Sequence, residues 1–223
     1  MRQSDTCLIV PVFNEVTVVR EVLETAHKSF SRIVCVDDGS SDGSAEQIRD
    51  AGATLLRHAI NLGQGAALQT GIEFALLDES IRYFVTFDSD GQHLVSDVER
   101  MLEILRTDEV DIVFGSRFLS GTTDVSGLKK LVLKAAVRYT SATSNVRLSD
   151  AHNGLRAFNR DVASALQLRM SGMAHASEIV TAVGRAGFRY TEAPVTIVYS
   201  EYSKAKGQSL LNSVNILFDL IFR

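Results

Sequence analysis

Two acidic clusters offer chemistry: Asp37-Asp38-Gly39-Ser40 and Asp88-Ser89-Asp90-Gly91-Gln92. On an extended backbone, residues two apart point to the same side. Asp88 and Asp90 are spaced that way and could grip one hard divalent cation, with Gln92 or water completing an oxygen shell. Such a cation would sit on a diphosphate and neutralise its charge as it leaves. The same spacing suits a solvated Asp-Ser-Asp-Gly turn, and spacing alone does not choose. Asp-Gly-Ser by itself is usually a turn. Two acidic clusters at one edge of a sheet are harder to dismiss.

Each cluster ends an apolar run. Leu8 to Phe13 leads into Pro11-Val12-Phe13-Asn14-Glu15, Ile33 to Val36 into Asp37, and Tyr83 to Phe87 into Asp88. These runs read as strands, with Thr54 to Leu56 and Asp111 to Gly115 as two more. Helical patterns separate them. Asn14 is placed as N-cap of a helix carrying Val18, Val19, Val22, Leu23 and Ala26. Ser44 with Gln47, and Ser96 with Glu99, are spaced as capping boxes. Gly65 to Leu77 forms an alanine- and leucine-rich helix. In the second half, Thr122 to Asn145 suggests a mobile segment plus a helix. Arg160 to Leu166 and Ser177 to Arg185 look helical, and Ala193 to Tyr199 a strand whose Pro194 favours an edge or a strand start. Alternating strands and helices predict an α/β fold, a Rossmann-like, mainly parallel sheet flanked by helices on both faces. Ligands then bind beyond the carboxyl ends of the strands, where the polar clusters lie.

Composition narrows the partners. The chain has 223 residues, 45% of them hydrophobic, and a net charge of −4. No basic stripe suggests nucleic-acid binding. Cys7 and Cys35 each lie in an apolar run and read as core thiols at home in a reducing cytosol. No signal peptide is visible, and no apolar run reaches the roughly 18 residues of a membrane span. His93, His152 and His175 share no spacing suited to zinc. Gly63-Gln64-Gly65 lacks the third glycine of a dinucleotide fingerprint, since Leu68 stands in its place.

The ordered set Pro11 to Glu15, Asp37 to Ser44, Asn61 to Gly65, Asp88 to His93, Gly115-Ser116-Arg117-Phe118 and Ser149 to Phe158, with Glu178 beyond, closely resembles family 2 glycosyltransferases. It is most similar to the dolichol- or polyprenyl-phosphate sugar synthase branch, over roughly residues 7 to 209. The resemblance implies a GT-A catalytic domain over residues 1–209, followed by an amphipathic segment, 210–223. It implies that Pro11, Phe13 and Glu15 line the nucleotide pocket, with Asp37 facing the base and Asp38 the nucleotide. Gly63 and Gly65 would let backbone approach the donor. Asp88, Asp90 and Gln92 would hold Mg2+ or Mn2+. Arg117 would meet a phosphate, and Asp150 and Arg156 would lie toward the sugar and acceptor; Asp90, Arg117 and Asp150 are the candidates for the catalytic step.

The implied reaction is an inverting transfer from a UDP- or GDP-sugar to a polyprenyl phosphate. A phosphate acceptor is already anionic and needs cations. A glycan hydroxyl would need a base, for which Asp150 or Glu178 are the candidates. The chain departs from the branch near its end. Where an arginine and then Gly-x-Ser-Lys are common, it has Gly207-Gln208-Ser209-Leu210, with positive charge at Lys204 and Lys206. Those lysines could receive the phosphate or form a solvated loop. Residues 210–223 could lie on the cytoplasmic face of a membrane, against a small membrane-protein partner, or in the core. Extension of a surface polysaccharide and a non-catalytic nucleotide-binding subunit are the competing functions, and self-association is left open.

Overall fold

The computed structural model describes residues 2–119, 146–151, 153–170 and 175–199. Among these residues seven strands form one sheet: β1 (Gln3–Val12), β2 (Phe30–Asp37), β3 (Thr54–Arg57), β4 (Tyr83–Thr86), β5 (Ile112–Ser116), β6 (Arg156–Asn159) and β7 (Tyr190–Pro194). Their order is β3-β2-β1-β4-β6-β5-β7. All neighbours pair in parallel except β6, which runs antiparallel to both β4 and β5. The helices are α1 (Val19–Ala26), α2 (Ser44–Asp50), α3 (Gln64–Leu76), α4 (Val95–Leu105), α5 (Arg160–Ala165) and α6 (His175–Ala186).

Strand periodicity splits the core in two. On β1, Cys7 and Ile9 join a cluster with Ala67, Leu68 and Ile72 of α3, Val162 of α5 and Ile179 of α6. Leu8, Val10 and Val12 face the other way, onto Leu23 of α1, Ile48 of α2 and Met101 of α4. Both faces of the sheet are thus covered, which is why its strands read as unbroken apolar runs. Cys7 and Cys35 are buried free thiols, and burial pushes Cys7 up to about 12.

Several local expectations need correction. Asn14 is not an N-cap: it adopts φ +55, and α1 starts later, behind Val18. Neither serine caps its helix. Gly43 precedes α2 and Leu94 precedes α4, with no side-chain cap bond at either. The strand expected at Ala193 to Tyr199 lies earlier, ends at Pro194, and is an edge strand. Beyond it only His93 and Ile197 make an isolated bridge. Thr122 to Asn145, His152, Lys204, Lys206 and residues 210–223 lie outside the described residues. Among the described residues no helix is long and apolar enough to cross a membrane.

Candidate active site

The strand order runs outward in both directions from the β1–β4 pair, so a crevice opens beyond their carboxyl ends. Ser89 ties its two walls together, its hydroxyl donating to the Pro11 carbonyl at 2.9 Å. The loop after β1 is strapped to the loop after β2. The Asn14, Glu15 and Val16 amides donate to Ser40 Oγ, Ser44 Oγ and Asp42 Oδ2 at 2.9, 2.9 and 3.0 Å. Much of the Asp37 to Ser44 motif therefore shapes this wall. Phe13 is left exposed at the rim, while Glu15 is buried.

Asp37 and Asp38 differ in use. Asp38 takes the Leu62 and Gly63 amides at 2.9 and 2.7 Å, and His58 Nδ1 at 2.7 Å. His58 is held in turn by Thr70, 3.0 Å from Nε2. Asp38 thus organises the turn that delivers Gly63 and Gly65 to the head of α3. Gly39 is needed beside it: its φ is +78, and a Cβ would lie 2.7 Å from the Ile60 carbonyl carbon. Asp37 is fully buried. Its Oδ1 accepts the Ser40 amide, whereas Oδ2 has no hydrogen bond although Arg57 Nε lies 3.0 Å away as an ion pair.

Asp88 and Asp90 stand on the opposite wall. Gln64 Nε2 donates to Asp88 Oδ1 at 3.0 Å, and His93 Nε2 lies 3.0 Å from Oδ2. Burial alone would raise the Asp88 carboxyl. The His93 hydrogen bond and the charges of His93, Arg156 and His175 outweigh it and hold the group below its ordinary value. Asp90 goes the other way, raised by burial and by the charges of Asp88 and Glu15, against the Gln92 amide bond that favours its anion. Two carboxylates close enough to oppose each other's ionisation suit a shared cation. Gln92 is partly exposed beside them. Among the described residues, no three His, Cys, Asp or Glu side chains gather as a metal cluster. A cation here would have two protein carboxylates and would need other oxygens from substrate or water.

Arg117 and Asp150 come together. Arg117 Nε donates to Asp150 Oδ2 at 2.6 Å, and the Arg117 amide donates to the same oxygen at 3.2 Å. Asp150 is buried and Arg117 largely so. Glu192 of β7 fixes this corner by accepting the Ser149 amide at 2.8 Å and the Asp150 amide at 3.2 Å. Arg156 lies beneath the site and is 1% exposed, so its guanidinium is shut off from the crevice. Burial lowers it to about 10, against the pull of Asp88 and Asp150. Nε and Nη2 have no hydrogen-bond partner among the described residues. Glu178, in the first turn of α6, accepts the Arg169 and Met170 amides at 3.0 to 3.1 Å. His58 and Glu192 lie outside the sequence motifs, and Gln64 and His93 lie within them with no role assigned. A zinc-spacing test cannot find a histidine whose partner is a carboxylate.

This architecture is the GT-A fold of glycosyltransferases. Glucosyl-3-phosphoglycerate synthase from Mycobacterium tuberculosis, solved with phosphoglyceric acid, superposes with a TM-score of 0.71 at 16% identity, over 98% of this chain and 79% of that one. Another structure of that enzyme, with Mn2+, uridine diphosphate and glucosyl-3-phosphoglycerate, superposes at 0.68 and 15% identity, over 98% and 79% of the two chains. At such identities the likeness speaks for the fold alone. The sequence profile of Glycosyl transferase family 2 matches residues 7–166, more than half of the chain, and the protein belongs to that family. It is therefore a glycosyltransferase. It is 32% identical to the uncharacterized protein MJ1222 of Methanocaldococcus jannaschii, over 100% of this chain and 93% of that one. It is 25% identical to the UDP-N-acetylglucosamine–dolichyl-phosphate N-acetylglucosaminyltransferase of Methanococcus voltae, over 96% and 94% of the two chains. With the undecaprenyl-phosphate mannosyltransferase of Micrococcus luteus the identity is 27%, over 89% and 85%. These relatives support the polyprenyl-phosphate sugar synthase-like branch.

Proposed function

We propose that the protein transfers a sugar from a nucleotide-diphosphate sugar to a polyprenyl phosphate, with inversion at the anomeric carbon and with Mg2+ or Mn2+ as cofactor. The observation that carries the choice of acceptor is the state of the two carboxylates available as bases. Asp150 is clamped by Arg117, and Glu178 is occupied by two backbone amides. A hydroxyl acceptor would require one of them to be free to take a proton. A phosphate oxygen is already an anion at neutral pH and requires only cations and aim. Relatives named for dolichyl and undecaprenyl phosphate support the same acceptor class.

The crevice supplies the rest. Phe13 stands on the side where a nucleoside would sit, with Glu15 and Asp37 buried behind it, and Asp88 and Asp90 face the diphosphate. When bound, the divalent ion would neutralise charge developing on the departing diphosphate. A structural neighbour that holds Mn2+ and uridine diphosphate supports that assignment. Arg117 is the cation for a phosphate, and Asp150 keeps it oriented. Lys204 and Lys206 are further candidates for the acceptor phosphate, and peripheral seating of the protein on a cytoplasmic membrane face follows from a lipid acceptor.

The test is transfer of label from radiolabelled UDP- and GDP-sugars into the organic phase, with Mn2+ and polyprenyl phosphate. Asp90→Asn should cut the rate by about a hundredfold or more, the scale at which electrostatic groups of the transition state act. Label entering only a glycan primer, never the lipid, would reject the acceptor.

A further inference from the structure

Gln64 stands between the two glycines of the Asn61 to Gly65 motif and opens helix α3. That helix packs through Ala67, Leu68 and Ile72 on Ile9 of β1 and Val36 of β2. The Gln64 side chain leaves it and reaches the loop after β4, where Nε2 donates to Asp88 Oδ1 at 3.0 Å. An ionised carboxylate only accepts, so the amide nitrogen faces it and not the amide oxygen. The residue that makes this reach is held on both sides. Before it, the Gly63 amide is fixed to Asp38 Oδ2 at 2.7 Å, and Asp38 is itself met by His58 at 2.7 Å. After it, Gly65 lies close against the approach to α6. A Cβ there would run into the Met170 carbonyl oxygen and stand 3.0 Å from His175 Cβ. The backbone at residue 64 has little freedom to follow a side chain that falls short. The other oxygen of Asp88 is met from its own loop, by His93 Nε2 at 3.0 Å. Each carboxylate oxygen thus has one partner, and the two partners come from different elements.

From this we infer that Gln64 is a positioning residue for the divalent cation, holding the Asp88 carboxylate in place to share the ion with Asp90. The His93 bond moves with the loop that carries both of its partners. The Gln64 bond comes from 24 residues earlier in the chain and fixes that loop against the body of α3. Two carboxylate oxygens offer about four lone-pair sites, so one hydrogen bond on each leaves sites for a cation. Carboxylates that ligate metals are generally hydrogen-bonded in this way, and the bond sets their orientation before the metal arrives. Gln64 acts through Asp88 and gives the ion no ligand of its own. The inference rests on the proposed cation at Asp88 and Asp90, and is independent of the acceptor.

The experiment is equilibrium dialysis of the full chain against Mn2+ at fixed UDP, counting protein-bound Mn2+, and against labelled UDP in EDTA. Variants are Gln64→Met, which keeps the length without the donor, and Gln64→Asn, which keeps the amide but is one methylene short. In both, the Mn2+ concentration for half-saturation should rise about tenfold or more, while metal-free UDP retention stays within about twofold of wild type. Urea midpoints should be equal in all three, because Gln64 is only half-buried and its replacement opens no core cavity. Wild-type Mn2+ uptake in Gln64→Met overturns the inference. Full uptake in Gln64→Asn does so too, since the reach would then have no consequence. Metal-free UDP retention that falls by the same factor as Mn2+ uptake also overturns it, because Gln64 would then touch the nucleotide itself. A wild-type protein that takes up no Mn2+ sinks the cation reading of Asp88 and Asp90, and this inference with it. Wild-type uptake that neither variant weakens sinks the inference only.

Discussion

Gly154 decides where Asp88 can lie. A Cβ at that position would fall well inside van der Waals contact distance of Asp88 Oδ2 and 2.8 Å from its Cγ. The Gly154 carbonyl is meanwhile held by Thr86 Oγ1 at 2.6 Å, so the backbone has little room to retreat. The carboxylate must move in Gly154→Ala. A displacement near 1 Å at a catalytic group costs up to about a hundredfold in rate. We expect Gly154→Ala to lose about that much kcat/KM while its unfolding midpoint in urea changes little, because the clash is with the tip of one partly exposed side chain. Arg156 poses the opposite case, a charge wholly inside the protein with two nitrogens unpartnered among the described residues. Its value lies in the charge it sets against Asp88 and Asp150. Removing one side of a buried charge arrangement costs about 3 to 5 kcal/mol. Burial disfavours this cation by more than the two carboxylates favour it, and Asp88 keeps His93 while Asp150 keeps Arg117, so Arg156→Leu should cost less than about 3 kcal/mol by urea denaturation.

Elements place these residues, and helix α3 does so by close approach. A Cβ on Gly71 would stand 2.5 Å from Ile9 Cγ2 and 3.3 Å from Val36 Cγ2, both side chains fully buried. Alanine in place of glycine gains up to about 1 kcal/mol of helix propensity. Overpacking a closed core costs about 1 to 3 kcal/mol. Overpacking wins, and Gly71→Ala should destabilise the protein by about 1 to 2 kcal/mol in the same denaturation assay. At the other end of the sheet Asp111 fastens β5 to the start of β7 through Arg189. The Arg189 side chain and amide reach it at 2.8 to 3.1 Å, and Asn159 reaches it at 3.2 Å. The Arg189 hydrogen bond, opposed by some desolvation and helped by the amide and the charge, holds the Asp111 carboxyl below its ordinary value. A depressed folded value means that the contribution is present above the unfolded value and is lost as pH falls through the folded one. The stability difference between wild type and Asp111→Asn should therefore be constant near neutrality and shrink below about pH 4. Strands β1, β2, β4 and β5 are legible in the sequence because each is an apolar run buried on both faces. Strand β6 is not, because it is four residues long with a buried arginine at its head. The caps misled for a related reason: Ser44 and Asn14 bond across to the neighbouring loop, a long-range use that local spacing cannot reveal. Among the site residues, spacing picks out Asp88 and Asp90 as a pair but does not separate a cation grip from a turn, and the structure places Ser89 and Asp90 in a turn. The Arg117–Asp150 pair, 33 residues apart in sequence, could not be read as a pair.

The whole molecule explains why one ligand should steady all of it. Strands β1, β2 and β3 lie on one side of the crevice and β4, β6, β5 and β7 on the other. A donor bridging the Asp37 loop and Asp88 would add to the contacts by which the two halves already meet, among them the β1–β4 pairing, the Ser89–Pro11 bond and the Arg106–Asp5 pair. A ligand that binds only the folded state stabilises it by about 2.7 kcal/mol at a hundred times its Kd. For a chain of 223 residues, each kcal/mol shifts the midpoint by about 2 to 4 °C. Saturating UDP with Mn2+ should therefore raise the thermal midpoint by about 5 to 10 °C in a single transition. The contribution of the metal is separable. Asp90 carries a carboxyl already raised by its neighbours, and Asp90→Asn removes that repulsion along with half of the carboxylate pair. The variant should be at least as stable as wild type without ligand, yet gain little when Mn2+ is added to UDP. If the variant instead gains as much from Mn2+ as the wild type does, the metal is held elsewhere, and the Asp88–Asp90 pair is a turn.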